Sequence, residues 1–272
     1  MSKPFTRRAL GSVLAAVLAL AAPSSAGVGD LLVAPTRIVL NGGRGTEVIL
    51  KNIGSATATY RVSAELRRMN ADGTLVDVAE ASPEEKAAQD MIVFAPRKVT
   101  LPPNQPQAVR VSARAPQGLA DGEYRVHLLF RAIPEPTPVT APAESRGLAF
   151  KLIPVYGVTI PVIVRLGNLH AKAGISDVQH VQANGKHSVS LQLSRSGDRS
   201  TYGEIRVLKP GVKEPLAQVK GVAVYKEISS RRVMVPVDAG YKGPLTGPVT
   251  VQYFEVSDNG ATLAAETSAT LR

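Results

Sequence analysis

VYGVTIPVIVR, residues 155–165, is the stretch on which the reading of this chain turns. It is almost wholly β-branched or apolar, and it is too short to cross a membrane as a helix. β-branched residues favour an extended backbone, yet Pro161 in the middle of the run has no N–H to give to a neighbouring strand. Such a proline is tolerable at the edge of a sheet and costly at its centre, so the stretch reads as a strand with one side lacking an obligatory partner.

Outward from it, nearly every segment alternates with period two or is short and β-branched. Candidate strands on the N-terminal side are residues 31–40, 46–53, 58–68, 74–78, 91–94, 107–114, 123–133 and 148–165. Turn signals separate them: NGG at 41–43, DG at 72–73, PPN at 102–104 and DG at 121–122. About seven strands at this spacing predict an immunoglobulin-like sandwich. The one helical candidate is 83–89, which opens with Pro83 after Ser82, a suitable cap. Residues 134–142, PEPTPVTAP, have no apolar periodicity and read as an extended surface loop.

A second set of candidate strands follows at 169–182, 187–194, 203–208, 216–226, 231–237, 248–256 and 261–271. The fold class expected is all-β, with two immunoglobulin-like β-sandwich domains set at an angle like a boomerang. The first would span 27–166, with its long strand at 148–165, and the second 167–272. So short a linker, near Gly167 and Asn168, would fix the angle and leave an interdomain cleft.

The first 26 residues carry Lys3, Arg7 and Arg8, an apolar run over 9–22, and a small-residue end, SSA at 24–26. This is the pattern of a secretory signal peptide cut after Ala26. The Arg7–Arg8 pair invites a twin-arginine reading, but nothing downstream looks like a cofactor that must be loaded before export. The general secretion route to the periplasm is therefore expected. Removing these three cations, with no acid among the first 26 residues, takes the formal charge from +10 to +7. The mature chain remains basic, but its charges are scattered singly rather than in a block interleaved with aromatics. That argues against nucleic acid and for a carboxylate-bearing partner. Cysteine is absent, which removes thiol chemistry and thiolate metal sites, and a chain this long can bury a core without disulfides.

Signatures of catalysis are missing. The four histidines, at 127, 170, 180 and 187, include no two with ligand spacing on one strand and no accompanying carboxylate cluster. No G-x-S-x-G elbow is present. GGRG at 42–45 precedes a strand pattern, so it reads as a hairpin turn rather than a phosphate loop. Glu84 and Glu85 lie on a polar segment, and nothing sets two acids across a cleft. With no Trp and only seven Tyr and five Phe, a sugar-stacking platform is also disfavoured. The expectation is a binding protein, not an enzyme, with no cofactor, no metal and no small-molecule substrate.

Four segments in order then carry a resemblance: PTRIVLNGG with TEVILKN, RKVTLPPNQPQAVRVSAR, DGEYRVHLLFRAIPEP, and the apolar strand that ends in VIVR. Over residues 31–167 the chain resembles the N-terminal domain of the periplasmic, PapD-like pilus (fimbrial) assembly chaperones. DGEYRVHLLFRAIP is the most specific of these motifs and TRIVL the next, while the second domain agrees only in size and β character. The resemblance implies a chaperone that lends a strand to pilus subunits lacking their own and delivers them to an outer-membrane usher. It implies a donor row of Phe150, Leu152, Pro154, Tyr156, Val158 and Ile160. It also implies that Arg37 anchors the subunit's terminal carboxylate. The family's second anchor, a lysine, falls at Pro161, which leaves Lys151 as the nearest upstream cation. Arg165 and Glu123 match an interdomain ion pair, with Asp258 a candidate third member. The alternative is a structural or adhesive two-domain sandwich of a surface fibre.

Overall fold

The computed structural model describes residues 30–42, 45–134 and 154–272. The export segment 1–26 and the expected donor and anchor residues Phe150, Lys151 and Leu152 lie outside the described residues. The first domain opens with β1 (Leu31–Ala34), β2 (Ile38–Asn41), β3 (Thr46–Asn52) and β4 (Ala58–Glu65). A hairpin of β5 (Arg67–Met69) and β6 (Leu75–Asp77) leads into α1 (Pro83–Met91). Then come β7 (Ile92–Ala95), β8 (Lys98–Leu101), β9 (Pro106–Ala113), β10 (Gly122–Ile133) and β11 (Gly157–Leu166). Two sheets, in the orders β1-β3-β9-β7 and β2-β11-β10-β4-β8, face each other. Alternation puts one row of each strand inward, so Val48, Leu50, Tyr60, Val62, Val109, Val111, Val126, Leu128, Phe130, Ile160, Val162 and Val164 share one core.

The second domain comprises β12 (Ala171–Ala183), β13 (Lys186–Gly197), β14 (Thr201–Leu208), β15 (Ala217–Val224), β16 (Ser230–Pro236), β17 (Gly247–Ser257) and β18 (Gly260–Leu271). Its sheets run β12-β13-β16 and β15-β14-β17-β18 around a separate core that includes Leu191, Leu193, Ile205, Val207, Val251 and Tyr253. The chain is thus all-β, with two β-sandwich domains. α1 begins one residue after Ser82, whose hydroxyl accepts from Glu85 N–H at 3.2 Å while the Glu85 carboxylate accepts from Ser82 N–H at 2.8 Å. This reciprocal cap, with Pro83 preset for the first turn, starts the helix where expected, and it runs two residues further to Met91.

Three expected strands are divided or shortened, each for a local reason. The run 31–40 is two strands in opposite sheets, because Pro35 ends the hydrogen-bonding of β1 and the chain crosses over before β2. Arg37 therefore sits in the crossover, one residue before β2. The run 58–68 breaks at Leu66, where the chain leaves β4 for the β5–β6 hairpin. The long strand expected at 148–165 is regular only as β11, from Gly157; residues 154–156 are outside any strand, although Ala132 N–H still donates to Tyr156 O at 2.9 Å.

That last bond sets the phase of the β10–β11 ladder, whose register is unbroken from Gly122↔Leu166 to Arg131↔Gly157. With Tyr156 turned toward β10, the even residues 158–164 also present their backbone groups to β10, and the odd residues 157–165 present theirs to the other side. Pro161 is odd. Its missing N–H falls on the outer side, where parallel pairing with β2 begins only at Val162↔Ile38. Replacing Pro161 with Ala should therefore cost no more than about 1 kcal/mol, the entropic advantage of the ring. A proline at Val162, whose N–H faces β10, should cost about 3 kcal/mol or more; urea denaturation of both variants measures the contrast.

Candidate functional site

The two sandwiches meet where β11 ends. Gly167 has φ +80°, and a Cβ there would lie 2.3 Å from the Asp121 carboxylate, so only glycine makes this turn between domains. Immediately before it, Glu123 and Arg165 stand directly opposite across β10 and β11. Arg165 Nε donates to Glu123 Oε2 at 3.0 Å, and the backbone N–H of Ser200, in the second domain, donates to Glu123 Oε1 at 3.0 Å. Arg165 Nη2 also reaches Ser200 O at 3.3 Å. The Glu123 side chain is only 1% exposed, so one buried carboxylate takes hydrogen bonds from both domains. Asp258, expected as a third member of this pair, is instead in the exposed β17–β18 turn and forms no salt bridge among the described residues. A turn carboxylate keeps its hydration, and the third place is filled by the Ser200 backbone.

Beside this ion pair an apolar cluster joins Met69 and Ile163 to Ala223 and Tyr225. Arg125 lies 3.7 Å from the Tyr225 ring centre and bonds both Glu227 oxygens, at 3.0 and 2.7 Å. The β5–β6 hairpin straps the second domain: Met69 N–H donates to Glu227 at 2.7 Å and Arg232 N–H to Ala71 O at 2.9 Å. Burial opposes ionisation of Glu227, but the Arg125 bonds and charge outweigh it, and its carboxyl titrates below the ordinary range. His127, opposite Pro161, is 1% exposed, edge-on to Tyr225 at 6.3 Å, and neither ring nitrogen has a partner. Burial, then the positive charges of Arg125 and Arg67, push its pKa down to about 3, opposed only weakly by Glu227.

An open cleft of about 600 Å³ lies beyond the ion pair. One wall is the crossover at residues 35–37 with Arg165; the other is built from Arg199, Tyr202, Glu255 and the β17–β18 turn. Arg199 forms a bidentate pair with Glu255, and Arg165 has Glu123. Arg37 differs. Its guanidinium stacks 4.6 Å from the Tyr202 ring centre, and its Nε and Nη2 are buried with no hydrogen-bond partner among the described residues. Burial, then the nearby Arg165 charge, lowers its pKa. A half-buried guanidinium that lines an open cleft and keeps two donors unpaired among the described residues suits an anion, and its planar fork matches a carboxylate.

The remaining expected residues fall along β11 and just before it. Pro154 and Tyr156 are exposed, Tyr156 at 55%, and Val158 is half-buried against the first core. Ile160 is 1% exposed and belongs to the first domain's own core, so the outward-available part of the expected row ends at Val158. The outer edge of β11 is covered by β2 only at Val162–Arg165, so that among the described residues the backbone of Gly157 and Thr159 has no strand partner on that side. Sequence reading did not find Tyr202, Arg199, Glu255, Arg125, Glu227 or the buried state of His127. Only the repeated pairing of a cation with an acid or aromatic in strand-like segments could have flagged them, and the partners lie too far apart in the chain to be matched.

A family model described as an Fn3-like domain matches residues 43–130. No curated protein matches the chain. Among solved structures, the Escherichia coli chaperone DraB is 17% identical, with 91% of this chain and 98% of that one covered and a TM-score of 0.47. The Pseudomonas aeruginosa CupB2 chaperone is 14% identical over 89% and 100% of the two chains, with a TM-score of 0.47. The Salmonella enterica SafB chaperone complexed with SafA pilin gives 14% identity over 90% and 98%, with a TM-score of 0.44.

Two outcomes test the joint. Glu123→Ala leaves Arg165 largely buried without its carboxylate and should cost about 3 kcal/mol in urea denaturation, with faster limited proteolysis at Gly167. For His127 the folded pKa lies below the unfolded value, so between about pH 6.5 and 3 the unfolded chain binds a proton that the native state refuses. Stability should fall as pH drops through that window. His127→Leu should lose less between pH 7 and pH 4 than the parent, read from the urea midpoints; equal losses would mean that His127 is hydrated or paired in solution.

Proposed function

We propose that this protein is a periplasmic chaperone for pilus or related surface-fibre subunits. In this reading it captures a subunit that lacks one strand and hands it on for assembly at the outer membrane. The observation that carries it is the placement of Arg37: a guanidinium whose Nε and Nη2 have no partner among the described residues, at the point where β2 ceases to cover the β11 edge. Ile38 opens β2 opposite Val162, so Arg37 flanks Pro161, where outward donors run out. A guest strand on the open edge with its terminal carboxylate at Arg37 must run as β2 does, parallel to β11.

The chemistry follows from the edge. A subunit missing a strand exposes an unpaired backbone and part of its core, and both drive aggregation. Gly157 and Thr159 offer backbone groups to that edge. Tyr156 and Val158 continue the inward row of Ile160, Val162 and Val164 past the end of the first domain's core, so their side chains would complete the guest's core. Phe150 and Leu152 would extend the row. With Pro161 in place of a lysine, the carboxylate site rests on Arg37, with Lys151 as the candidate second cation. Four motifs shared with the PapD-like family support the same reading. No cofactor or nucleotide enters, because binding energy from strand pairing and burial is sufficient.

The test is co-expression of the mature protein with β-rich pilus subunits that lack a strand, purification through a tag, and mass spectrometry of one-to-one complexes. Arg37→Ala should reduce the yield of complex about tenfold or more with the fold unchanged by circular dichroism, since a charge-assisted pair is lost. Tyr156→Asp should abolish capture by placing a charge in the guest's core. A chain that elutes alone, or that forms only polymers of itself, would favour the fibre-component alternative.

A further inference from the structure

A second site lies at the far end of the second domain. β12 and β13 form a hairpin closed at Asn184 and Gly185, and the register of β12 shifts between Ser176 and Gln179, with Asp177 at φ +52°. Such a bulge re-aims every side chain after it. Ile175 faces the core before the bulge, and Val178 faces it after, so His180 is carried to the inner side as well. On β13 the buried row Leu193, Leu191, Val189 continues to His187 by the same period. Two inward rows thus end in imidazoles where the apolar core stops. His180 Nε2 and His187 Nδ1 are 3.0 Å apart, the ring centres 5.1 Å apart and the planes within 17°. His187 also lines a cavity of about 420 Å³ under the loop that carries Asp238 and Tyr241.

We infer that this histidine pair binds a transition-metal ion, Cu(II) in preference to Zn(II). Two imidazole nitrogens about 2.0–2.1 Å from one metal, in adjacent positions, are separated by about 2.9–3.4 Å, a range that already includes the present distance. Binding needs the hydrogen between the rings to move to the far nitrogen of its own imidazole, and the rings to tilt so that both lone pairs converge; the hairpin backbone stays in place. No third histidine, cysteine or carboxylate joins them among the described residues. Water or another small ligand in the neighbouring cavity would complete the coordination sphere. With two nitrogen ligands and no imposed geometry, the intrinsic order of affinities decides, and that order puts Cu(II) first. The donor atoms of the interdomain cleft are elsewhere, so this site is independent of subunit capture.

The experiment is titration of the full mature chain with Cu(II), followed by electron paramagnetic resonance. The expected result is one ion per chain, hyperfine structure from two equivalent nitrogens, and a melting temperature that rises with ion concentration. His180→Ala and His187→Ala should each weaken binding at least tenfold, while His170→Ala, at an exposed position away from the pair, should not. His180→Gln serves if the alanine variant fails to fold. Absence of stoichiometric binding would overturn the inference. So would binding that persists unchanged in the double variant, which would assign the ion to the chain terminus or to other surface groups.

Discussion

A single buried carboxylate holds the two halves of this molecule in register. Glu123 accepts from Arg165 within its own sheet at Oε2 and from the Ser200 backbone of the other domain at Oε1, so the first domain's sheet and the second domain's loop are bound to the two oxygens of one carboxylate. A buried ion pair of this kind contributes little net stability against an apolar alternative, because desolvation offsets the attraction. Its value here is directional. Any rotation of one sandwich on the other must strip a hydrogen bond from a carboxylate that water does not reach. The Arg125–Glu227 pair and the β5–β6 strap add further contacts between the two domains.

The cleft inherits its chemistry from that fixed angle. Arg37 belongs to the first domain and Tyr202, against which it stacks, to the second. The aromatic face holds the guanidinium without consuming its donors, and Arg165 is kept from competing for an incoming anion because Glu123 occupies it. The cations around the cleft therefore differ: Arg165 and Arg199 are each paired with a carboxylate, and Arg37 keeps Nε and Nη2 unpaired among the described residues. The crossover at Pro35 accomplishes two things at once, since it sets Arg37 at the cleft and makes β2 too short to cover β11.

His127 shows the cost of this arrangement. It sits opposite Pro161 with its ring among Arg67, Arg125 and Tyr225, where a further positive charge is disfavoured, so it stays neutral and unbonded far below the usual histidine range. The joint that orients the cleft is in consequence sensitive to acid.

Alternation of apolar and polar residues is a local property, and it alone was enough to locate most strands of both sandwiches and the class of the fold. The capping pattern at Ser82 and Glu85 likewise located α1. The N-terminal motifs pointed to Arg37, Glu123 and Arg165 before any geometry was known. What alternation could not separate was a run of strand-forming residues from a strand: 31–40 crosses between sheets at Pro35, the short β8 went unnoticed, and Ile160 looked like its neighbours Val158 and Tyr156 although it lies inside the first core. Asp258 resembled an ion-pair member only because a charge in a sequence carries no record of its solvation. Pairings such as Arg37 with Tyr202, Glu123 with Ser200 and His180 with His187 were decided by tertiary structure. Each depends on which sheet edge is covered, on the angle between domains or on a one-residue bulge, and these are set by packing between segments distant in the chain rather than by the residues themselves.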